Sequence, residues 1–197
     1  MLERILGVIT LKTPIYRQIA DDKTATTQAA MIVVIVTLIQ GFCTGLVKST
    51  ASGVSVDLLG GLAQAVSNLV LGLIGWVVSA WLLAMIAKAL GGKTDTSEML
   101  RVTGFVQVFG LTGILNLAAL ISPVLICVTS IISIVVLILS LIGYTIGVRE
   151  AAEFSTGKAV ATALVAVIAN FLIVVVVGGM IATAVIGALA LLAGGAR

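Results

Sequence analysis

The chain has 197 residues, of which 60% are hydrophobic and 10% are charged, and its formal net charge is +3. Its mean hydropathy is +1.30, and all nineteen charges lie outside four charge-free stretches at 24–47, 58–87, 102–148 and 159–196. A membrane span needs only about 20 apolar residues, so a soluble enzyme is excluded. The absence of histidine also excludes Ser-His and Cys-His catalysis and His-ligated zinc or haem.

The N-terminal segment, residues 1–28, is predicted to be cytoplasmic and amphipathic. Apolar residues recur there at helical spacing, at Leu2, Ile5, Leu6 and Ile9. Thr13-Pro14 is typical of an N-cap followed by proline at the first helical position, so a second short helix follows. A signal peptide is not expected, because Thr10 and Lys12 interrupt the apolar stretch.

The charge-free stretches predict five transmembrane helices. The third stretch has 47 residues and would form a helix of roughly 70 Å against a core of about 30 Å, so Ser122-Pro123 is predicted to divide it. The last stretch is read as one tilted helix that Gly178-Gly179 could bend, and a sixth span remains open. The predicted fold is an all-α bundle with spans at about 29–47, 62–89, 102–121, 124–148 and 159–193.

Basic residues set the expected orientation. Nine of the eleven lie in segment 1–28, in the loop between the second and third spans, and in the connector between the fourth and fifth spans. Only Lys48 and Arg197 lie on the other side. The N-terminus is therefore predicted to be cytoplasmic and the C-terminus non-cytoplasmic. A basic balance of this kind flanks spans and does not predict nucleic-acid binding.

Small and amide side chains are the candidates for contacts inside the membrane, because no charge lies well inside a span. GxxxG spacing predicts close helix packing at Gly41 and Gly45 in the first span and at Gly143 and Gly147 in the fourth. Hydrogen bonds between helices are predicted for Gln40, Asn68, Gln107, Asn116 and Asn170. The alternative is that these amides line a permeation path.

Two cytoplasmic features carry sequence signals of their own. Asp95-Thr96-Ser97-Glu98 has the spacing of a capping box, so the third helix is predicted to begin in the loop. The connector after the fourth span is the candidate partner surface, and its candidate residues are Arg149, Glu150, Glu153, Phe154, Ser155 and Lys158. Arg149 and Glu153 have i,i+4 spacing, which is typical of an ion pair, and Ser155 is predicted to cap the fifth span. Lys158 is read as an interfacial anchor.

Four stretches resemble the Yip family, the Ypt/Rab-interacting membrane proteins, and in particular its short bacterial branch. They are RILGVI at 4–9 leading to Thr13-Pro14, ATTQA at 25–29, LRVTGF at 100–105 and REAAEFSTGKAV at 149–160. The resemblance implies five spans with a cytoplasmic N-terminus, in a bacterial inner (cytoplasmic) membrane. Eukaryotic members look like trafficking adaptors that bind small GTPases and partner membrane proteins, partly through N-terminal regions longer than residues 1–28. For this chain the resemblance therefore implies a fold more than a role.

The functional interpretation is a non-catalytic membrane protein that packs against other integral membrane proteins or lipids. No catalytic, cofactor-binding or metal-binding residue is expected, while a bound lipid and a homo-oligomer are compatible with the pattern. One alternative is an accessory structural subunit of a larger respiratory or photosynthetic membrane complex. A third interpretation is a small-molecule permease that uses the amides.

Overall fold

The described part of the protein consists of helices, one short hairpin and connecting loops. The structure, a computed structural model, describes residues 1–50, 53–122 and 124–169. The elements in chain order are α1 (Leu2–Ile9), α2 (Thr13–Asp21), α3 (Ala25–Leu46), β1 (Val47–Thr50), β2 (Gly53–Val56), α4 (Leu58–Ala89), α5 (Thr96–Val106), a 3₁₀ helix (Gln107–Leu120) that continues α5, α6 (Val124–Ala152) and α7 (Thr156–Ala169).

Four of these elements are long and apolar enough to cross a membrane: α3, α4, α5 with its 3₁₀ continuation, and α6. The predicted class, a helical membrane bundle, is confirmed. α7 occupies the beginning of the predicted fifth span. The rest of that span, with Asn170 and Gly178-Gly179, lies outside the described residues.

The antiparallel hairpin of β1 and β2 joins α3 to α4 and is absent from the sequence prediction. Its register pairs Val47 with Val56 and Thr50 with Gly53. Gly53 has a φ of +130°, a conformation that residues other than glycine rarely adopt. Asp57 then begins α4, because its carboxylate accepts a hydrogen bond from the Gly60 N–H at 2.8 Å and so satisfies a free donor of the first turn.

α3 and α4 cross with their backbones in contact. A Cβ atom at Gly41 would lie 2.6 Å from the Gln64 carbonyl oxygen and 2.8 Å from the Ala65 Cα. Gly45 lies in the same way against the backbone of Gly60. Small residues four apart let two helices approach this closely.

α5 occupies the centre of the bundle, in contact with all of α1, α2, α3, α4 and α6. It begins with the predicted capping box: the Glu98 N–H donates to Asp95 Oδ1 at 2.7 Å, and the Asp95 N–H donates to Glu98 Oε2 at 3.3 Å. Further along, the Trp76 indole of α4 donates to Thr103 Oγ1 at 3.1 Å. The capping box fixes where α5 starts. The interhelical bond fixes which side of α5 faces α4.

Packing is much denser at one end of the bundle than at the other. In α6 the buried residues begin only at Gly143, so the preceding part presents apolar side chains outward, as lipid-facing helices do. The largest fully buried side chains include Val8, Tyr16, Ile19, Leu83, Met99 and Val148. We call this densely packed end, formed by α1, α2, the α4–α5 loop (90–95) and the α6–α7 connector (149–158), the basic end.

Candidate functional site

The connector at the basic end is fixed against the α4–α5 loop by contacts at three points. The Lys93 N–H donates to the Ala152 carbonyl at 2.9 Å. The Lys158 ammonium donates to the Leu90 carbonyl, also at 2.9 Å, which satisfies an acceptor at the end of α4. The Phe154 ring lies directly over Gly92, where a Cβ atom would come within 2.6 Å of the ring. The connector therefore has a defined shape.

Arg17 of α2 joins the N-terminal helices to the same connector. Its Nη1 donates to the Glu150 carbonyl at 3.0 Å, and its Nη2 donates to Glu153 Oε1 at 2.6 Å. Within α2 its Nε donates to Asp21 Oδ2 at 2.9 Å. One guanidinium thus contacts two elements that are more than 130 residues apart in sequence, using the fork of donors that lysine lacks.

The structure pairs Arg149 differently from the predicted i,i+4 arrangement with Glu153. Arg149 forms its ion pair with the adjacent Glu150, N to O at 2.8 Å, and donates to Thr156 Oγ1 at 3.3 Å. Glu153 has a φ of +54°, so it has left the α6 helix and its carboxylate is bound by Arg17. Spacing along a helix predicts a pair only while the helix continues through both residues.

Ser155, predicted as the cap of the fifth span, lies directly before α7. Its carbonyl accepts the N–H of Ala159 at 3.1 Å, while the side chain is exposed. Thr156 and Gly157 are exposed as well. These three residues form the tip of the connector.

α1 and α2 form a hairpin that is held by its own polar contacts. Tyr16 is fully buried and its hydroxyl donates to the Val8 carbonyl at 3.0 Å, while burial raises the pKa of the phenol. Arg4 forms an ion pair with Asp22 at 2.5 Å. Hydrogen bonds to Asp22 from the Thr24 hydroxyl and from Arg4 lower the pKa of its carboxyl to about 2. The hairpin is therefore a folded unit.

Gly143 and Gly147, predicted as packing positions, lie beneath side chains of α2 and α5. A Cβ atom at Gly143 would be 2.9 Å from the Tyr16 hydroxyl oxygen, and one at Gly147 would overlap Val102. Gly147 also lies close to the Tyr16 ring. The N-terminal hairpin and the start of α5 thus pack directly against the two glycines.

The predicted interhelical amides have different surroundings. Asn116 in the 3₁₀ helix donates to Thr44 Oγ1 of α3 at 3.2 Å, which is a bond between helices. Asn68 accepts from Gln64 Nε2 at 3.1 Å within α4, so that bond lies inside one helix. Asn170 lies outside the described residues.

Gln40 and Gln107 line one cavity of about 440 Å³ between α3, the 3₁₀ helix and α6. Ser133 and Ser140 of α6 contribute hydroxyl groups to its wall, and Tyr144 lines it as well. Apolar side chains of the 3₁₀ helix and α6 also line it, and none of the described lining residues is charged. The cavity is separate from the basic end.

Arg101 is a residue that the sequence analysis assigned to a loop. It lies inside α5 with only 5% of its surface exposed, and its Nε has no hydrogen-bond partner among the described residues. A buried guanidinium is costly unless it is well compensated. The capping box at Asp95 predicts that Arg101 lies in α5, because a helix that begins at Thr96 contains Arg101 in its second turn.

The basic end is suited to binding through a surface of fixed shape. Over the described residues, no group of three or more cysteine, aspartate, glutamate or histidine residues could hold a metal ion. The carboxylates of Glu150 and Glu153 are both engaged by arginine. The tip of the connector is accessible, and α2 and the α4–α5 loop hold the connector in place.

Comparison with known proteins gives one match. The family model described as the Yip1 domain matches residues 6–178, most of the chain. The match begins within α1 and includes both the connector and α7. None of the curated proteins and none of the solved structures matches the chain.

Proposed function

Since the chain belongs to the Yip1 domain family, and is a multi-pass membrane protein of a family without enzymatic members, we propose that it acts as an adaptor in the membrane. In this proposal it binds other integral membrane proteins through the connector and organises them without chemistry of its own. The observation that carries the proposal is the fixed connector. Arg17 of α2 and Lys93 of the α4–α5 loop bind the connector, and its own Lys158 binds Leu90 of that loop.

A prearranged connector favours binding. A surface that is already ordered loses less conformational freedom when a partner binds it. Here the exposed tip, residues 155–157, follows the ion-paired helix end at Glu150 and the Phe154 ring that lies on Gly92. We propose that this tip is the contact surface for the partner.

The proposed orientation has the basic end in the cytoplasm of a bacterial cell and the β1–β2 hairpin on the outer side. With Cys43→Ala and Cys127→Ser as background, we expect Val56→Cys to react with a membrane-impermeant maleimide on intact cells, since Val56 is 63% exposed. Ser155→Cys should react only after the membrane is opened. The reverse order of labelling would contradict the orientation.

Photo-crosslinking tests the adaptor proposal directly. A benzoylphenylalanine residue at position 155 should yield adducts with one or a few integral membrane proteins in the native membrane. The same residue at position 56, which is also exposed but lies at the opposite end of the bundle, is the matched control and should yield none of these adducts. Adducts at 155 with lipid alone would contradict the proposal.

Native gel separation after gentle extraction distinguishes the accessory-subunit alternative. An adaptor with transient contacts migrates alone or as a small homo-oligomer. An accessory subunit migrates with fixed partners at constant stoichiometry, and crosslinks to them from both position 155 and position 56. That combined result would replace the adaptor proposal.

The cavity between α3, the 3₁₀ helix and α6 favours the permease alternative. Its volume of about 440 Å³ and its lining by Gln40, Gln107 and Ser133 are within the range of small-molecule sites. Solute uptake by proteoliposomes that is lost in Gln107→Leu would support a permease. Absence of uptake for neutral polar solutes would contradict the permease alternative.

A further inference from the structure

We infer that α1 is an interfacial anchor that inserts its outer face into the lipid leaflet at the basic end of the bundle. This inference goes beyond the adaptor proposal, because it concerns lipid and does not depend on any protein partner. It rests on the different exposure of the two faces of α1, on the position of the α1–α2 hairpin along α6, and on the basic residues beside α1.

The inner face of α1 is bound to the protein. Gly7 and Val8 are buried, and a Cβ atom at Gly7 would lie 2.7 Å from the Ile15 side chain. Arg4 on the same side binds Asp22. With these contacts α1 cannot rotate its other face inward.

The outer face of α1 is apolar and uncovered by the described residues. Leu2 is 76% exposed, Leu6 is 61% exposed and Ile9 is 42% exposed. These positions recur at i, i+4 and i+7, so they form one stripe along the helix. A water-soluble helix docked by its inner face would carry polar residues on this stripe.

The position of the hairpin along α6 places the stripe at the edge of the hydrocarbon core. From Val124, where α6 begins, to Gly143 the helix rises about 29 Å, close to the thickness of that core. The Leu11 side chain, in the turn between α1 and α2, lies 3.4 Å from the Cβ position of Gly143. α1 also contacts α6, so its stripe lies where headgroups meet acyl chains, the depth at which amphipathic helices insert.

Charge at this level matches an anionic leaflet. Lys12 is exposed directly after α1, and Lys23 follows α2 in the same hairpin. Basic residues near a membrane surface are attracted by anionic lipid. A lipid leaflet therefore accounts for both the apolar stripe and the lysines beside it.

The test uses purified full-length protein in vesicles of phosphatidylethanolamine and phosphatidylglycerol, with Cys43→Ala and Cys127→Ser as background. A nitroxide label is attached at Leu6→Cys, and in a matched variant at Glu3→Cys on the same helix. We expect the label at position 6 to collide mainly with dissolved oxygen and to be shielded from a water-soluble nickel chelate. The label at position 3 should show the opposite preference.

Equal exposure of both labels to the nickel chelate would overturn the inference, since the stripe would then face water. Shielding of position 6 from oxygen and nickel alike would also overturn it, since a second copy of the chain would then cover the stripe. Because no partner protein is in the vesicles, neither result bears on the crosslinks expected from position 155.

Discussion

Replacing Gly41 by alanine is expected to lower the free energy of unfolding by about 2 kcal/mol, a typical cost of overpacking. The added methyl group would lie 2.6 Å from the Gln64 carbonyl oxygen and 2.8 Å from the Ala65 Cα. Both are backbone atoms, so no side-chain rotation relieves the overlap and α3 must move away from α4. The measurement is the midpoint of thermal unfolding in detergent, which should fall by roughly 4–8 °C.

Gly75→Ala is the matched control for this substitution. Gly75 lies in α4, as the contacted residues do, and a Cβ atom there meets nothing within 4 Å among the described residues. Alanine is also the better helix former, so this variant should melt at or slightly above the parent. Equal melting of the two variants would mean that α3 and α4 do not cross at Gly41.

Tyr16→Ala is expected to release the N-terminal hairpin from the bundle. The ring is fully buried on Gly143 and Gly147, and truncation of a buried aromatic residue to alanine costs about 3–5 kcal/mol. The loss is local, because α3 to α6 keep their own contacts. Tryptic cleavage at the basic residues of segment 1–28 should therefore accelerate by roughly 100-fold or more, as local opening becomes more frequent.

Tyr16→Phe separates packing from hydrogen bonding at this position. It keeps the ring and removes only the bond from the hydroxyl to the Val8 carbonyl, worth about 1 kcal/mol. Cleavage should accelerate by less than tenfold. If Tyr16→Ala were cut no faster than Tyr16→Phe, the hairpin would be held by the Arg17–Glu153 ion pair and not by burial of the ring.

Much of the fold follows from local signals in the sequence. Charge-free stretches of sufficient length predict the spans, and Asp95 with Glu98 predicts the start of α5. The β1–β2 hairpin has no such signal: its strands have four residues each, too short for alternation to stand out. It forms because α3 and α4 cross closely and bring residues 47 and 56 together.

The candidate site is harder to predict because its contacts join distant parts of the chain. Helical spacing gives α1 an apolar face but does not say whether that face meets protein or lipid. The pairing of Arg17 with Glu153 depends on where α6 ends, which the sequence leaves open. For Arg101 the capping box predicts a place in α5, but its burial depends on the elements that pack around α5.

The length of α4 bears on how the protein tolerates bilayers of different thickness. Its 32 residues span about 48 Å, far more than a hydrocarbon core of about 30 Å, and tilting alone does not absorb that excess. Near its end, however, Leu83, Ala84 and Ala87 are buried within the basic end. α5, which contacts α4, and the connector, which contacts the α4–α5 loop at Leu90 and Gly92, therefore replace lipid around these turns, so the protein itself offsets part of the hydrophobic mismatch.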